Sequence, residues 1–424
     1  MKRFLTIVFI FASTIVMAHP MPNSIIELSV AGNEIMGVAK MPVSELESAI
    51  MPQHGKINDK AFLKEYFAQH IVAQTWQKMW RVHINDITFR ESTDAFVGKY
   101  KEVAVQFVLT PPKGTNTRNF TLKYNAIVHQ VVTHKVLVFL KQDWQNGVYN
   151  EDAEKTQTDE NLIGSIQTDI PTGKVRPLEV SLKEGSNTEG FKTMIKLGMH
   201  HISEGTDHLL FLLVLLLTAP LTIVGKKWGQ NKGFKQSLKK ILTITFAFTI
   251  GHSITLALAT LGWVKLPSGP IEIIIAFSIL VTAVHAIKPL FPHRESLVTG
   301  SFGLIHGLAF ATILTGFNLT GKPLLLSLVG FNLGIELMQL IVIVITVPWL
   351  IILSRYNVYK YIRITGAVFA LMAASAWMTE RISGNSNLIT HYLNLLPHYG
   401  KYGVLILVII TVIVRFRKTQ PFKV

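Results

Sequence analysis

Two patterns of apolar residues divide the chain near residue 190. Between Ser24 and about Leu182, apolar and polar positions alternate, as in EVAVQFVLT, or gather in β-branched and aromatic stretches such as TLKYNAIVHQVVTHKVLVFL. A period of two suits a half-buried strand, whose successive side chains leave opposite faces of the sheet. The turn formers PPKG and AGN punctuate these runs. Residues 19–182 are therefore expected to form a β-rich, sandwich-like domain with one helix around Asp59 to Trp80. EGSNTEG, Glu184 to Gly190, reads as flexible, and 183–199 as a linker and interfacial segment. Residues 200–424 hold seven apolar runs, at roughly 205–224, 241–262, 271–288, 299–317, 324–353, 364–380 and 402–414. Apart from the short last one, their lengths suit crossing a hydrocarbon layer. The predicted fold class is a polytopic α-helical membrane protein of about seven spans behind a β-rich extracytoplasmic domain. No period of roughly 20 to 50 residues recurs, so a solenoid is not supported.

Composition and charge decide what surrounds these runs. Hydrophobic residues make up 49% of the 424 residues and mean hydropathy is +0.37, too apolar for an ordinary soluble enzyme of this length. Met1 to Ala18 reads as a secretory signal. Lys2 and Arg3 lead, Phe4 to Met17 form the apolar core, and Val16-Met17-Ala18 offers a small-residue cleavage site. An uncleaved anchor is the alternative. Fifteen Lys and Arg residues between Lys226 and Lys423 fall in alternate loops, against Lys265, Lys322, Arg381 and Lys401 in the opposite ones. Basic side chains are retained on the cytoplasmic side, which predicts an inner-membrane protein with its N-terminal domain outside and its C-terminus in the cytoplasm. Topology and lipid head groups then account for much of the +15 net charge, and nucleic acid has no place as a partner.

Candidate chemistry begins at HHISEGTDHLLFLLVLLL, residues 200–217. The chain has no cysteine, so a metal site must use imidazole and oxygen, donors suited to nickel, cobalt, zinc or manganese. On a helix, His201, Glu204 and His208 fall at i, i+3 and i+7, on one face, with Asp207 one residue away. Such a group at a membrane entrance suits capture of a divalent cation, with a carboxylate ligating or holding a ring in its metal-binding tautomer. Interfacial polarity is the plainer account. Deeper in the runs lie His252 in FTIGHSITLALA, His306 between Gly303 and Gly307, and Glu336 in a stripe with Asn332 and Gln339. An ionisable residue at mid-depth costs roughly 2.5 kcal/mol or more unless partnered. His285 and Glu272 mark the ends of the third run. Packing is the alternative for each of these residues. Taken by depth, they predict a ladder: His201, Glu204, Asp207 and His208, then His252 with Glu336 and Asn332, then His306. FTIGHSITLALA and FGLIHGLAFA look faintly alike, too faintly to establish a repeat.

His201 to His208 resembles the H-P-x-x-G-x-D-H signature of the HupE/UreJ hydrogenase and urease accessory membrane proteins, with Ile202 in place of the proline, and FGLIHGLAFA resembles their later His-Gly helix. The added N-terminal domain is similar to that of the larger branch of the family. The resemblance implies permeation of nickel or a related divalent cation. The expected function is a permease for a divalent transition-metal cation (nickel, cobalt or zinc) carried as substrate, with no organic cofactor. Its expected partners are the lipid bilayer, the ion and an extracytoplasmic protein. Two rivals stand beside it. An intramembrane hydrolase would use Ser253 beside His252, or a zinc on His201, Asp207 and His208; but H-E-x-x-H is absent, and adjacent helical residues diverge by about 100°. A receptor or assembly factor would bind its partner through residues 19–182. Cleavage after Ala18 would also free the His19 amino group beside its imidazole, a pair able to chelate a borderline cation and pass it on.

Overall fold

The computed structural model describes residues 22–149 and 159–416, apart from 54, 77, 95, 96 and 318. The signal reading over Met1 to Ala18 and the chelating role of His19 fall outside the described residues. The chain divides into two compact units, Met1–Ser186 and Asn187–Val424.

The first unit opens with an antiparallel hairpin of β1 (Ser24–Ala31) and β2 (Glu34–Pro42). Its two-residue turn starts at Gly32, whose φ of 61° other residues rarely adopt. α1 (Val43–Ile50) follows, then α2 (Lys60–His70), capped by the Asp59 carboxylate, which accepts from the Ala61 and Phe62 amides, each at 3.0 Å. The helix expected to reach Trp80 stops at His70. The next residues, IVAQT, favour a strand and become β3 (Ile71–Thr75), followed by β4 (Lys78–Met79). β5 (Arg81–Asp94), β6 (Gly98–Thr110), β7 (Asn119–Tyr124), β8 (Lys135–Asp143), β9 (Val148–Tyr149), β10 (Leu162–Asp169), β11 (Lys174–Val175) and β12 (Leu178–Ser181) complete the unit. One sheet runs β11-β10-β8-β1-β2-β6-β5 with β9 against β8, and the other runs β12-β7-β3-β4. Only β1 and β8 pair in parallel among the described strands. Ile26, Ile35, Leu63, Phe67, Phe107 and Leu122 meet in one apolar core. Arg118 forks onto Asp143 at 2.6 and 3.0 Å, both side chains being buried, and so satisfies a charge that would be costly alone.

Buried His134 has Nε2 2.7 Å from the Ser24 hydroxyl, and burial pushes its imidazole down to about 4. In an unfolded chain it would titrate near about 6.5. The unfolded state therefore takes the proton first, so stability present above about pH 6.5 is lost as the pH falls toward about 4, by at most about 3 kcal/mol. Thermal unfolding of the full chain should show this slope, and His134→Gln should flatten it. An unchanged slope in that variant would remove His134 as the cause.

The second unit begins with α3 (Asn187–Glu204), so helix starts inside the stretch read as linker. α4 (Thr206–Thr218) follows a single break at Gly205, where the axis turns by 70°. The run read as a span to 224 ends at Thr218. Its last residues form β13 (Leu221–Val224), paired with β14 (Lys227–Asn231) around Gly225, whose φ is 60°. α5 (Phe234–Thr260), α6 (Ser268–Ile287), α7 (Glu295–Gly316), α8 (Gly321–Leu353), α9 (Tyr359–Ser383), α10 (Leu388–Asn394) and α11 (Leu396–Phe416) complete it. Among the described residues, five helices are long and apolar enough to cross a membrane, or six if the bent α3–α4 pair counts as one span. Two seams hold helices at backbone contact. On α5 and α7, a Cβ at Gly251 would strike the Gly300 carbonyl, and one at Gly303 or Gly307 the carbonyl of Phe248 or His252. On α3 and α8, Gly198 and Gly334 meet the carbonyls of Phe331 and Ile195 in the same way. Small residues permit this approach, which dispersion forces favour where lipid offers no competing hydrophobic drive.

Candidate metal centre

The glycine seams and the break at Gly205 bring distant histidines together. His201 ends α3, and its carbonyl accepts from the Gly205 amide at 3.0 Å, closing the last turn before the bend. The new helix starts with Asp207 and His208. The Asp207 carboxylate accepts from the His208 amide at 2.8 Å and from its Nδ1 at 2.9 Å. A carboxylate here keeps the proton on Nδ1 and puts the lone pair on Nε2, the nitrogen a metal-binding imidazole offers. Gly307 seats α7 on the His252 carbonyl, so the helices bearing His252 and His306 are locked side by side.

His201, His208 and His252 each offer a ring nitrogen, all within 4.8 Å of one another. His306 joins them, its Nδ1 lying 3.2 Å from His208 Nε2 and its Nε2 3.1 Å from the Ser278 hydroxyl. Two nitrogens bound to one ion at about 2.0–2.1 Å are separated by a similar distance when the angle between them is about 100°. His208, His252 and His306 are buried, His201 nearly so. Three ring nitrogens, Nε2 of His201 and both nitrogens of His252, are buried with no hydrogen-bond partner. Leaving such a group unsatisfied costs about 1–3 kcal/mol each, a cost that a cation would reverse. The walls are aromatic: Phe310 lies 4.3 Å from the His201 ring and stacks on Phe331 at 4.1 Å, and Phe248 stands 5.2 Å from His306.

Residues 178–381, which contain all these groups, match the family model described as HupE / UreJ protein. Over this segment the chain is similar to the HupE/UreJ family. That family is linked in general to the handling of nickel and cobalt. The β-rich region precedes the matched segment. No curated protein and no solved structure matches the chain.

In this chain the ladder read from sequence is replaced by one cluster. His201, Asp207, His208, His252 and His306 are gathered, whereas Glu204 and Glu336 are not. The reason is the bend at Gly205. His201, Glu204 and His208 do not share a face because no single helix carries them. Glu204 instead meets His200 at 2.8 Å, with both side chains more than half exposed. Glu336 is half-buried on α8, in line with Asn332, which accepts from the Ser253 hydroxyl at 2.8 Å, and with Gln339, which accepts from Thr249 at 3.2 Å. The Ser253 hydroxyl is thus held by Asn332 and the Thr249 carbonyl. His285 stands apart. Its Nδ1 accepts from the Leu290 amide at 3.0 Å and its ring stacks on Phe291 at 3.8 Å, the arrangement of a helix end. Glu272 accepts from Arg381 at 3.1 Å. Ser278 and the phenylalanine walls were not singled out from sequence, since one serine or phenylalanine in an apolar run carries no distinguishing signal.

Proposed function

We propose that this protein is a membrane permease for a divalent transition-metal cation, nickel or cobalt foremost and zinc as the nearest competitor, and that the four-histidine cluster with Asp207 is its ion site. One observation carries the reading: ring nitrogens of His201, His208 and His252 converge within 4.8 Å, and those of His252 and the Nε2 of His201 are buried without a hydrogen-bond partner. Neutral nitrogen donors without thiolate favour borderline ions over magnesium or calcium. The imidazoles supply lone pairs rather than charge, so Asp207 is the carboxylate that offsets the ion's charge at the cluster. Glu336 serves as a second carboxylate on the path, taking up the ion or a proton after the cluster. The loop charges support an inner-membrane setting with the β-rich unit outside.

The test is flux. Purified chain in proteoliposomes enclosing a divalent-cation dye is expected to admit Ni²⁺ and Co²⁺ faster than protein-free vesicles, and to exclude Mg²⁺. Glu336→Gln keeps the shape and removes the charge, and is expected to change the pH dependence of that flux. Influx no faster than in empty vesicles would end the permease reading. An unchanged pH profile in Glu336→Gln would reduce Glu336 to a packing residue.

A further inference from the structure

The first unit holds a second pair of imidazoles prepared in the same chemical sense. The ladder of β3 and β7 sets Ile71 opposite Tyr124 and is prolonged by the Asn125 amide, which donates to the His70 carbonyl at 3.2 Å. His70 is therefore fixed beside Asn125. The turn that follows brings His129 back over it, and the two rings lie 5.0 Å apart, tilted by 40°. Tyr66 is their platform. Its ring stacks on His70 at 4.0 Å and lies 6.4 Å from His129, while its hydroxyl donates to the Ala126 carbonyl.

Each Nδ1 faces a backbone carbonyl four residues earlier, His70 that of Tyr66 at 2.8 Å and His129 that of Asn125. A carbonyl only accepts, so each neutral ring carries its proton on Nδ1 and its lone pair on Nε2. Carbonyl or carboxylate partners at one nitrogen are how metal-binding imidazoles are oriented. His129 Nε2 is buried and has no partner.

We propose that His70 and His129 form a two-imidazole site in the N-terminal unit that takes a borderline transition-metal cation, with water in the remaining positions. Two rigidly presented nitrogens without a carboxylate bind such an ion selectively over calcium and magnesium, and more weakly than the four-histidine cluster. The proposal stands on these residues alone and does not rest on the transport reading.

Equilibrium dialysis of the full chain in detergent against Ni²⁺ tests it. The double variant His70→Gln, His129→Gln is expected to lose one equivalent of Ni²⁺ per chain while the membrane cluster keeps its own. Conversely, His208→Ala combined with His252→Ala is expected to retain the equivalent held by His70 and His129. Undiminished stoichiometry in the first variant, or no bound Ni²⁺ in the second, overturns the site whatever the transport assay shows. A direct readout needs no double variant. Paramagnetic Ni²⁺ should broaden the ring resonances of His70 and His129 in the histidine-labelled wild-type chain, with His70→Gln, at a half-exposed position, supplying the assignment. Sharp, unmoved resonances at saturating Ni²⁺ would refute it equally.

Discussion

Alanine at position 208 is expected to remove tight Ni²⁺ binding by the helical unit and, with it, cation flux, while the bundle still folds. His208 is the centre of the cluster: its Nδ1 side is held by Asp207 at 2.9 Å and its Nε2 side lies 3.2 Å from His306. Removing the ring would take away one proposed ligand and the group beside a second. Loss of an orienting partner alone typically costs 10–100-fold in metal affinity, so loss of the ligand should cost on the order of 100-fold or more. Asp207→Asn is the milder companion. It keeps a hydrogen-bond acceptor toward Nδ1 but removes the charge, and should fall in the 10–100-fold range. Competition against a metallochromic chelator measures both, with thermal unfolding in detergent as the control for folding. Wild-type affinity in His208→Ala would show that the ring is a packing residue and that the cluster is not the ion site.

Leucine at position 307 is expected to act through the backbone and cost more than its chemistry suggests. A Cβ on Gly307 already meets the His252 carbonyl and the Thr255 hydroxyl, neither of which is the free end of a flexible side chain. α5 and α7 must therefore move apart. Overpacking of this kind costs about 1–3 kcal/mol, and the displacement carries His252 away from the other rings. Lower thermal stability and weakened Ni²⁺ binding should appear together in Gly307→Leu. Gly400→Ala, where no atom lies within 4 Å of the added Cβ, is the control and should change neither. If Gly307→Leu binds Ni²⁺ as tightly as the wild type, the seam does not set the cluster.

How far residues foretell structure differs between the two units. The period of two in EVAVQFVLT and the apolar runs beyond residue 200 made the β-rich and helical regions legible, because both patterns repeat over many residues. Boundaries that depend on one local competition were not. The helix from Lys60 stops at His70, where IVAQT finds a partner in β7, a pairing some 50 residues away in the chain. Leu221 to Val224 continues the apolar run of α4 but pairs with β14, and hydrophobicity alone does not separate these outcomes. The chemistry of the site was legible as residue types: His201, Asp207, His208, His252 and His306 were all singled out. Their arrangement was not, because depth was inferred from position along each run, whereas Gly205 bends the chain by 70° and removes the continuous helix that the i, i+3, i+7 spacing assumed. The glycines beside His306 carried the clearest spatial signal, since close approach is what a glycine in a helix most directly permits.

The two glycine seams also decide which motions the cluster can feel. Helices whose carbonyls touch the Cα atoms of their neighbours slide or spread only at the expense of that contact, so α5 with α7, and α3 with α8, each behave as one stiff rib. His252 and His306 ride on the same rib, and their spacing is fixed. His201 rides on the other. A cation held by rings from both ribs would therefore be a clasp between two rigid halves, and the degree of freedom left to loosen it would be displacement of one half against the other.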